Sequence, residues 1–276
     1  MGEGETVMSH VGANQDKVSV NELFKAYRER RSQRRSPRDC VHDSRCLVLN
    51  GVTFSVKKGS LTCFLGPSGC GKSTLLRIIA GFETPDSGEV MIDGRPVYGP
   101  SSRHIFLFQE DGLFPWMTAY ENVMLGIRDL EDKEQRHEKV LEYLDMVGLS
   151  GFEGHFPHQL SGGMRRRAEV ARALITNPEV LFMDEPFSAL DFMTRLQMRE
   201  EMINVHAMFD STILFITHDI DEALQLGDQI IILGDRPSVV KGDILVSHPH
   251  PRDLGVGELA KLRKEIYFLM GLHTAL

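Results

Sequence analysis

The apolar residues of this chain recur in two rhythms. Short runs in which nearly every position is apolar predict buried strands: LTCFLG at 61–66, IFLF at 105–108, EVLFMDEP at 179–186, TILFITHD at 212–219 and QIIIL at 229–233. In KVSVNELFKAY (17–27), Val18 and Val20 alternate with polar neighbours and predict a further strand, and LVLNGVTFSVKKGS (47–60) predicts another strand and turn. Asp93-Gly94 between the apolar flanks of EVMIDGRPV (89–97) predicts a hairpin. Other segments keep a helical period. STLLRIIAGF (73–82) is one, and 131–149 is another, with Val140, Leu141, Leu144, Met146 and Val147 set between charges. Thr118 and Glu121 form a capping box that opens a helix. Ser161 is read as the N-cap of a helix that ends near Asn177-Pro178. Met193, Met198 and Met202 share helical spacing and are expected in the core. Strands alternating with helices imply an α/β fold with a parallel sheet covered on both faces, carrying a helical insert over roughly 110–165.

This pattern changes meaning once the residues after each strand are read. Ligands of such sheets sit at the carboxyl ends of the strands. Gly66, Gln109, Asp184 and His218 each follow a predicted strand, so the fold collects them on one edge. Gly66 to Thr74 reads GPSGCGKST and fits G-x-x-x-x-G-K-[ST] in its required strand–loop–helix setting. The glycines at 66, 69 and 71 let the backbone wrap a phosphate closely, because no Cβ blocks the approach. The loop N–H groups and the helix dipole favour an anion, Lys72 adds a charge for the β- and γ-phosphates, and the Ser73 hydroxyl is placed for Mg²⁺.

Composition sets outer bounds. A chain of 276 residues allows one elaborated domain or two. The formal net charge of −8 gives no case for a nucleic-acid partner. No apolar run is long enough to span a bilayer and the first residues lack a signal-peptide core, so the chain is expected in the cytoplasm, with any membrane link made through a partner. The four cysteines do not form a disulfide framework. Residues 1–16 are polar and expected to be mobile. RERRSQRRSPR (28–38) holds six arginines and is read as a solvated insertion over 28–45, with an anionic surface or a regulatory role as the alternative. Cys40, His42 and Cys46 offer three metal ligands without a fourth or a paired spacing, so no metal site is expected there.

The phosphate loop, Gln109, LSGG at 160–163, LFMDEP at 181–186, SALD at 188–191 and THD at 217–219 occur together in this order, and the chain resembles the ATP-binding subunits of ABC transporters from about residue 17 to 270. The resemblance implies an ABC-type ATPase domain over 17–253, followed by a C-terminal helix in 254–276. It implies a mostly parallel core sheet, an antiparallel β subdomain and an inserted helical subdomain. By its pattern, Gly66, Pro67, Ser68, Gly69, Cys70, Gly71, Lys72, Ser73 and Thr74 bind ATP, and Ser73, Gln109 and Asp184 serve Mg²⁺. Glu185 orients and deprotonates the attacking water, Gln109 senses the γ-phosphate, and His218 contacts it. Tyr27 stands where an aromatic stacks on adenine, with Phe24 as the alternative. Ser161, Gly162 and Gly163 would act in trans, on the ATP of a second copy or a close homologue. Arg166 replaces a common glutamine, a departure read as minor.

The segments QEDGLFPWMTAYENVMLG (109–126) and RPSVVKGDILVSHPHPRD (236–253) are similar to nitrate, sulfonate and taurine importers. That implies permease partners at the cytoplasmic face of the membrane and, indirectly, an extracytoplasmic solute-binding protein. Phe114, Pro115 and Trp116 lie in the segment that meets the permease, with a core position as the alternative for Trp116. Competing readings are a non-transport ABC ATPase and a regulatory module that holds ATP without turnover. The single nucleotide domain and the LFPW segment argue against the first, and intact Glu185 and His218 against the second.

Overall fold

The all-apolar runs are buried on both sides because they form the middle of a six-stranded sheet. In the computed structural model, which describes residues 16–28, 45–109, 112–130, 132–188, 190–209, 211–255 and 257–272, the sheet has the order β10-β9-β3-β8-β7-β6. Its strands are β3 (Leu61–Leu65), β6 (His104–Leu107), β7 (Val180–Asp184), β8 (Thr212–Ile216), β9 (Gln229–Leu233) and β10 (Val240–Leu245). All neighbours pair in parallel except β10, which runs antiparallel to β9 at the edge. Leu181 and Met183 pack into one core and Val180 and Phe182 into the other, and β8 and β9 divide in the same way. Each such fully buried Leu, Ile or Phe contributes on the order of 1.5–3 kcal/mol. The N-terminal stretch, nearly all of the arginine-rich insertion, and Cys40 and His42 lie outside the described residues.

The second core is closed by α1 (Lys72–Ile79) and by a smaller antiparallel sheet of order β2-β1-β4-β5. Here β1 (Asp16–Arg28) pairs with β2 (Arg45–Lys57) and with β4 (Ser87–Ile92), and β5 is the pair Arg95–Pro96. Val18 and Val20 are fully buried, as their alternation predicted. Asp93 and Gly94 take φ of 50° and 69°, and so make the tight hairpin between β4 and β5. Lys17 ties this sheet to the core: its amine lies 2.6 Å from Asp93 Oδ2 and 2.9 Å from Glu179 Oε2.

The first core packs under the helices. Between Gln109 and β7 the chain is helical: α2 (Ala119–Met124), α3 (Lys133–Met146) and α4 (Gly162–Leu174). The Thr118–Glu121 capping box is formed, with reciprocal bonds between side chains and backbone. Val140, Leu144 and Val147 of the amphipathic stretch are buried and Met146 packs against them, whereas Leu141 stays at the surface. After β7 come α5 (Phe192–Met208) and α6 (Ile220–Leu226), and α7 (Gly257–Leu269) closes the described chain. Met198 and Met202 are core residues, but Met193 is 65% exposed. It sits in the first turn of α5, where no element among the described residues covers it, and that corrects the expectation for the methionine stripe. No described helix is long and apolar enough to cross a membrane.

Candidate functional site

β3 carries the chain into the phosphate loop, and α1 carries it out. Gly71 is the N-cap of α1, at φ 111°. A Cβ there would lie 2.6 Å from Val48 Cγ1 and 3.1 Å from Leu49 Cδ2, so the backbone and the space both require glycine. Lys72 is buried, and its ammonium donates to the carbonyl oxygens of Gly66 at 2.8 Å and Pro67 at 3.1 Å. The loop therefore holds a desolvated cation at the start of a helix, where the dipole adds to its field.

Two strands away, β7 ends at Asp184. The Ser73 hydroxyl donates to Asp184 Oδ1 at 3.0 Å. Burial pushes the Asp184 carboxyl above its ordinary value and the charge of Glu185 adds to this, while the Ser73 bond opposes it. A desolvated carboxylate beside a hydroxyl is an oxygen donor set of the kind that suits a hard divalent cation. Glu185, next in the chain, stands at φ 47°. That left-handed backbone costs a non-glycine residue on the order of 1–3 kcal/mol. It is held by bonds from Glu185 N–H to Ile216 O (3.2 Å) and from Ser188 Oγ to Glu185 O (2.9 Å). The turn brings Glu185 Oε2 within 3.6 Å of His218 Nδ1, just past β8. Glu185, Ser188, Thr217 and His218 line a recess of about 10 Å³, close to the volume one water requires. A cavity of about 510 Å³ opens near the β4–β5 hairpin, lined by Asp93, Arg95, Tyr98 and Glu179, and includes none of these groups.

Gln109 is exposed just beyond β6, on the same sheet edge. Tyr27 is 39% exposed, and its hydroxyl donates to Glu83 Oε1 at 2.5 Å and lies 3.3 Å from Thr74 Oγ1 in the phosphate loop. Phe24 instead lays its ring against Gly51. Ser161 caps α4 by accepting from Met164 N–H at 3.2 Å. Ser161 and Gly162 are exposed, while Gly163 is buried where a Cβ would meet Thr194 Cγ2 at 2.4 Å. Among the described residues, no hydrogen bond or ion pair joins this segment to the phosphate loop of its own chain.

The reading of Arg166 as a minor departure needs correcting. Arg166 is 5% exposed, pairs with Glu169 one turn on, and donates from Nη1 to Phe108 O at 2.9 Å. Glu169 Oε1 accepts from Gly112 N–H. Both ends of the loop that carries Gln109 are thus fastened to α4. The i,i+3 spacing of the two charges was the available signal. Trp116 is 68% exposed, which excludes the core alternative, and its ring lies 5.3 Å from that of Phe114, itself half-exposed under Arg172. Sequence reasoning also missed Arg199 on α5. Its guanidinium reaches Asp219 Oδ2 (2.6 Å), Glu222 Oε1 (3.2 Å) and Gln225 Oε1 (3.0 Å), bracing the segment that follows His218.

A parallel sheet with a glycine-rich loop after one strand and paired acids after a near neighbour is the architecture of a phosphate-loop nucleotide hydrolase. The sequence profile of the ABC transporter family matches residues 49–188. An aliphatic sulfonates import ATP-binding protein of Bacillus cereus is 42% identical over 219 residues, 79% of this chain and 86% of the relative. A taurine import ATP-binding protein of Yersinia pestis bv. Antiqua is 47% identical over 194 residues, 70% of this chain and 76% of the relative. A dimeric ATP-binding cassette solved in a post-hydrolysis state with ADP and phosphate superposes with a TM-score of 0.69 at 30% identity, covering 84% of this chain and all of that one. The chain belongs to the ABC transporter family, as an ATP-binding, ATP-hydrolysing subunit.

Proposed function

We propose that this subunit hydrolyses ATP at the carboxyl edge of its sheet, within a dimer docked on a membrane permease, to drive uptake of an alkylsulfonate or a comparably small oxyanion such as nitrate. The observation that carries the reading is the 3.0 Å contact between Ser73 Oγ and Asp184 Oδ1, with Glu185 next in the chain. It joins the phosphate loop to the acids across two strands. Residues 66–74 wrap the phosphates, and Lys72 leaves its carbonyl partners for the β- and γ-phosphate oxygens. Tyr27 stacks on the adenine. Ser73, Asp184 and Gln109 would hold Mg²⁺, which when bound neutralises charge on the phosphate oxygens.

Glu185 receives the proton as the water in its recess attacks the γ-phosphorus. The bond to the β–γ bridging oxygen breaks, and ADP and phosphate leave. His218 donates to a γ-phosphate oxygen and keeps the attacking groups aligned. Ser161, Gly162 and Gly163, presented at the start of α4, close on the ATP of the second copy or a close homologue. The exposed Phe114 and Trp116 support docking on the permease, with the subunit at the cytoplasmic side of the membrane. An extracytoplasmic binding protein delivers the solute to that permease. The sulfonate and taurine import relatives support the solute class.

The test is a tagged Glu185→Gln chain, incubated with MgATP and used to recover partners from native membranes. The expected result is stable ATP retention, turnover near background and a multi-spanning permease in the eluate, while Lys72→Ala loses nucleotide affinity. Parental turnover in Glu185→Gln would remove the assigned base. Recovery of soluble partners alone would favour a non-transport ATPase.

A further inference from the structure

The phosphate loop has a second support that its motif does not reveal. The turn between β9 and β10 runs from Gly234 to Val239, closed by the Gly234 N–H bond to Val239 O at 2.9 Å. It projects two side chains onto the loop. The Arg236 guanidinium donates through Nη2 to Gly69 O at 2.5 Å. The fully buried Ser238 hydroxyl donates to Cys70 O and lies 3.1 Å from Gly234 O. The turn is itself anchored to β2: Ser238 N–H donates to Val48 O at 2.8 Å, and Asn50 N–H donates to Ser238 O at 2.9 Å. Val48 and Leu49 are also the residues that crowd Gly71.

The two bonds fall on consecutive peptides, because the carbonyls of Gly69 and Cys70 share their planes with the N–H groups of Cys70 and Gly71. A donor on a carbonyl oxygen does two things to that peptide. It fixes the plane, so the N–H on the far side has one direction. It also draws electron density toward the oxygen, which strengthens the N–H as a donor, and a charged donor does this most. A flexible glycine-rich loop otherwise has to lose conformational freedom when it closes on phosphate, a loss that weakens binding.

We infer that Arg236 and Ser238 are positioning residues for the phosphate loop: Arg236 fixes the Gly69–Cys70 peptide, whose N–H closes the loop's inner turn onto Pro67 O at 3.3 Å, and Ser238 fixes the next peptide and so pre-orients the Gly71 amide toward the polyphosphate of the nucleotide. This rests on the proposed assignment of residues 66–74 to the phosphates. Arg236 itself stays outside the loop. Its other contact, Nη1 to Cys46 Sγ at 3.8 Å, reaches the residue opposite Tyr27 in the β1–β2 register and so points to the adenine side. The experiment has to separate these two directions.

Arg236→Ala, Arg236→Lys and Ser238→Ala are compared with the parent for binding of ATP and of tripolyphosphate, which has no adenine, by calorimetry. Turnover at saturating ATP and the melting temperature of the nucleotide-free chain are measured alongside. Losing one net hydrogen bond to the loop is expected to weaken both ligands roughly fivefold. Turnover at saturation of Arg236→Ala is expected to stay at the parental level and its melting temperature to fall by no more than about 4 °C, and Arg236→Lys to recover part of the affinity. The inference falls if Arg236→Ala binds tripolyphosphate as the parent does, whether or not ATP binding drops. It also falls if affinity and melting temperature decline together and lysine restores neither. If Lys72→Ala binds tripolyphosphate like the parent, the assignment of the loop has failed instead, and the two failures are thereby distinguished.

Discussion

Replacing Arg199 by methionine keeps an unbranched apolar stem and removes the guanidinium, with its charge and its donors. Arg199 is 8% exposed in its side chain, and its partners Glu222 and Asp219 are 5% and 30% exposed. Removing one member of a buried pair leaves the other without its counter-charge, which costs roughly 3–5 kcal/mol. Asp219 keeps the Asp221 and Glu222 N–H groups and partial contact with water, so the loss falls mainly on Glu222. The lower end, about 3 kcal/mol, is therefore expected, or roughly 6–12 °C in melting temperature for a chain of this size. Burial already holds the Glu222 carboxyl above its ordinary value of 4.5 even with Arg199 beside it. Without Arg199 that value climbs further. The folded protein then favours protonated Glu222, so the deficit is full at neutral pH and shrinks as the pH falls toward the ordinary carboxylate range. Melting curves of both proteins at neutral and mildly acid pH read this directly. Turnover is expected to fall as well, because His218 precedes Asp219 and loses its brace. A loss below about 1 kcal/mol, or one that does not change with pH, would refute the buried-pair reasoning.

Asp184→Asn is expected to abolish turnover yet raise the melting temperature of the nucleotide-free chain at neutral pH. Burial raises the carboxyl above its usual 3.8, so the ionised form destabilises the fold, and the gain should fade as the pH approaches that value; an unchanged or lower melting point would contradict it. Ser161→Ala removes the α4 cap, at a cost of about 1 kcal/mol, and under the in-trans reading lowers turnover while leaving ATP binding to the isolated chain intact. Parental turnover in that variant would count against the composite site.

The strands that carry the site were legible because a strand buried on both faces has to be apolar throughout, and the first residue that is not apolar marks its carboxyl end. Asp184 stands at that position after Leu181–Met183, and His218 one residue beyond it, after Thr217. The Thr118 and Ser161 caps and the Asp93–Gly94 turn were legible because they are local, each satisfied within a few residues. What escaped was set by contacts distant in sequence. Met193 has the same spacing as Met198 and Met202, but period alone does not say where the covering elements stop. Trp116 is left in sequence between a permease-facing segment and a core position, because an aromatic carries no local mark of its exposure, and only the fold resolves it as 68% exposed. The buried charges Arg166 and Arg199 look like surface residues in composition, and only the fold brings a carbonyl or carboxylates to them. The support of the phosphate loop by Arg236 spans 167 positions and had no local signal at all.

The charge pair inside α4 also constrains how this sequence can drift. Arg166 and Glu169 are both almost fully enclosed, so a neutral residue at 169 leaves the Arg166 guanidinium without its counter-charge in the interior, and a neutral residue at 166 leaves Glu169 with only the nearby charge of Arg172. Each substitution is costly alone, and the two together are close to neutral if the new pair still reaches Phe108 O and Gly112 N–H. The two positions therefore behave as one inherited character. A lineage can cross between the charged and uncharged versions only by changing both, and the loop that carries Gln109 is held throughout by whichever version is present.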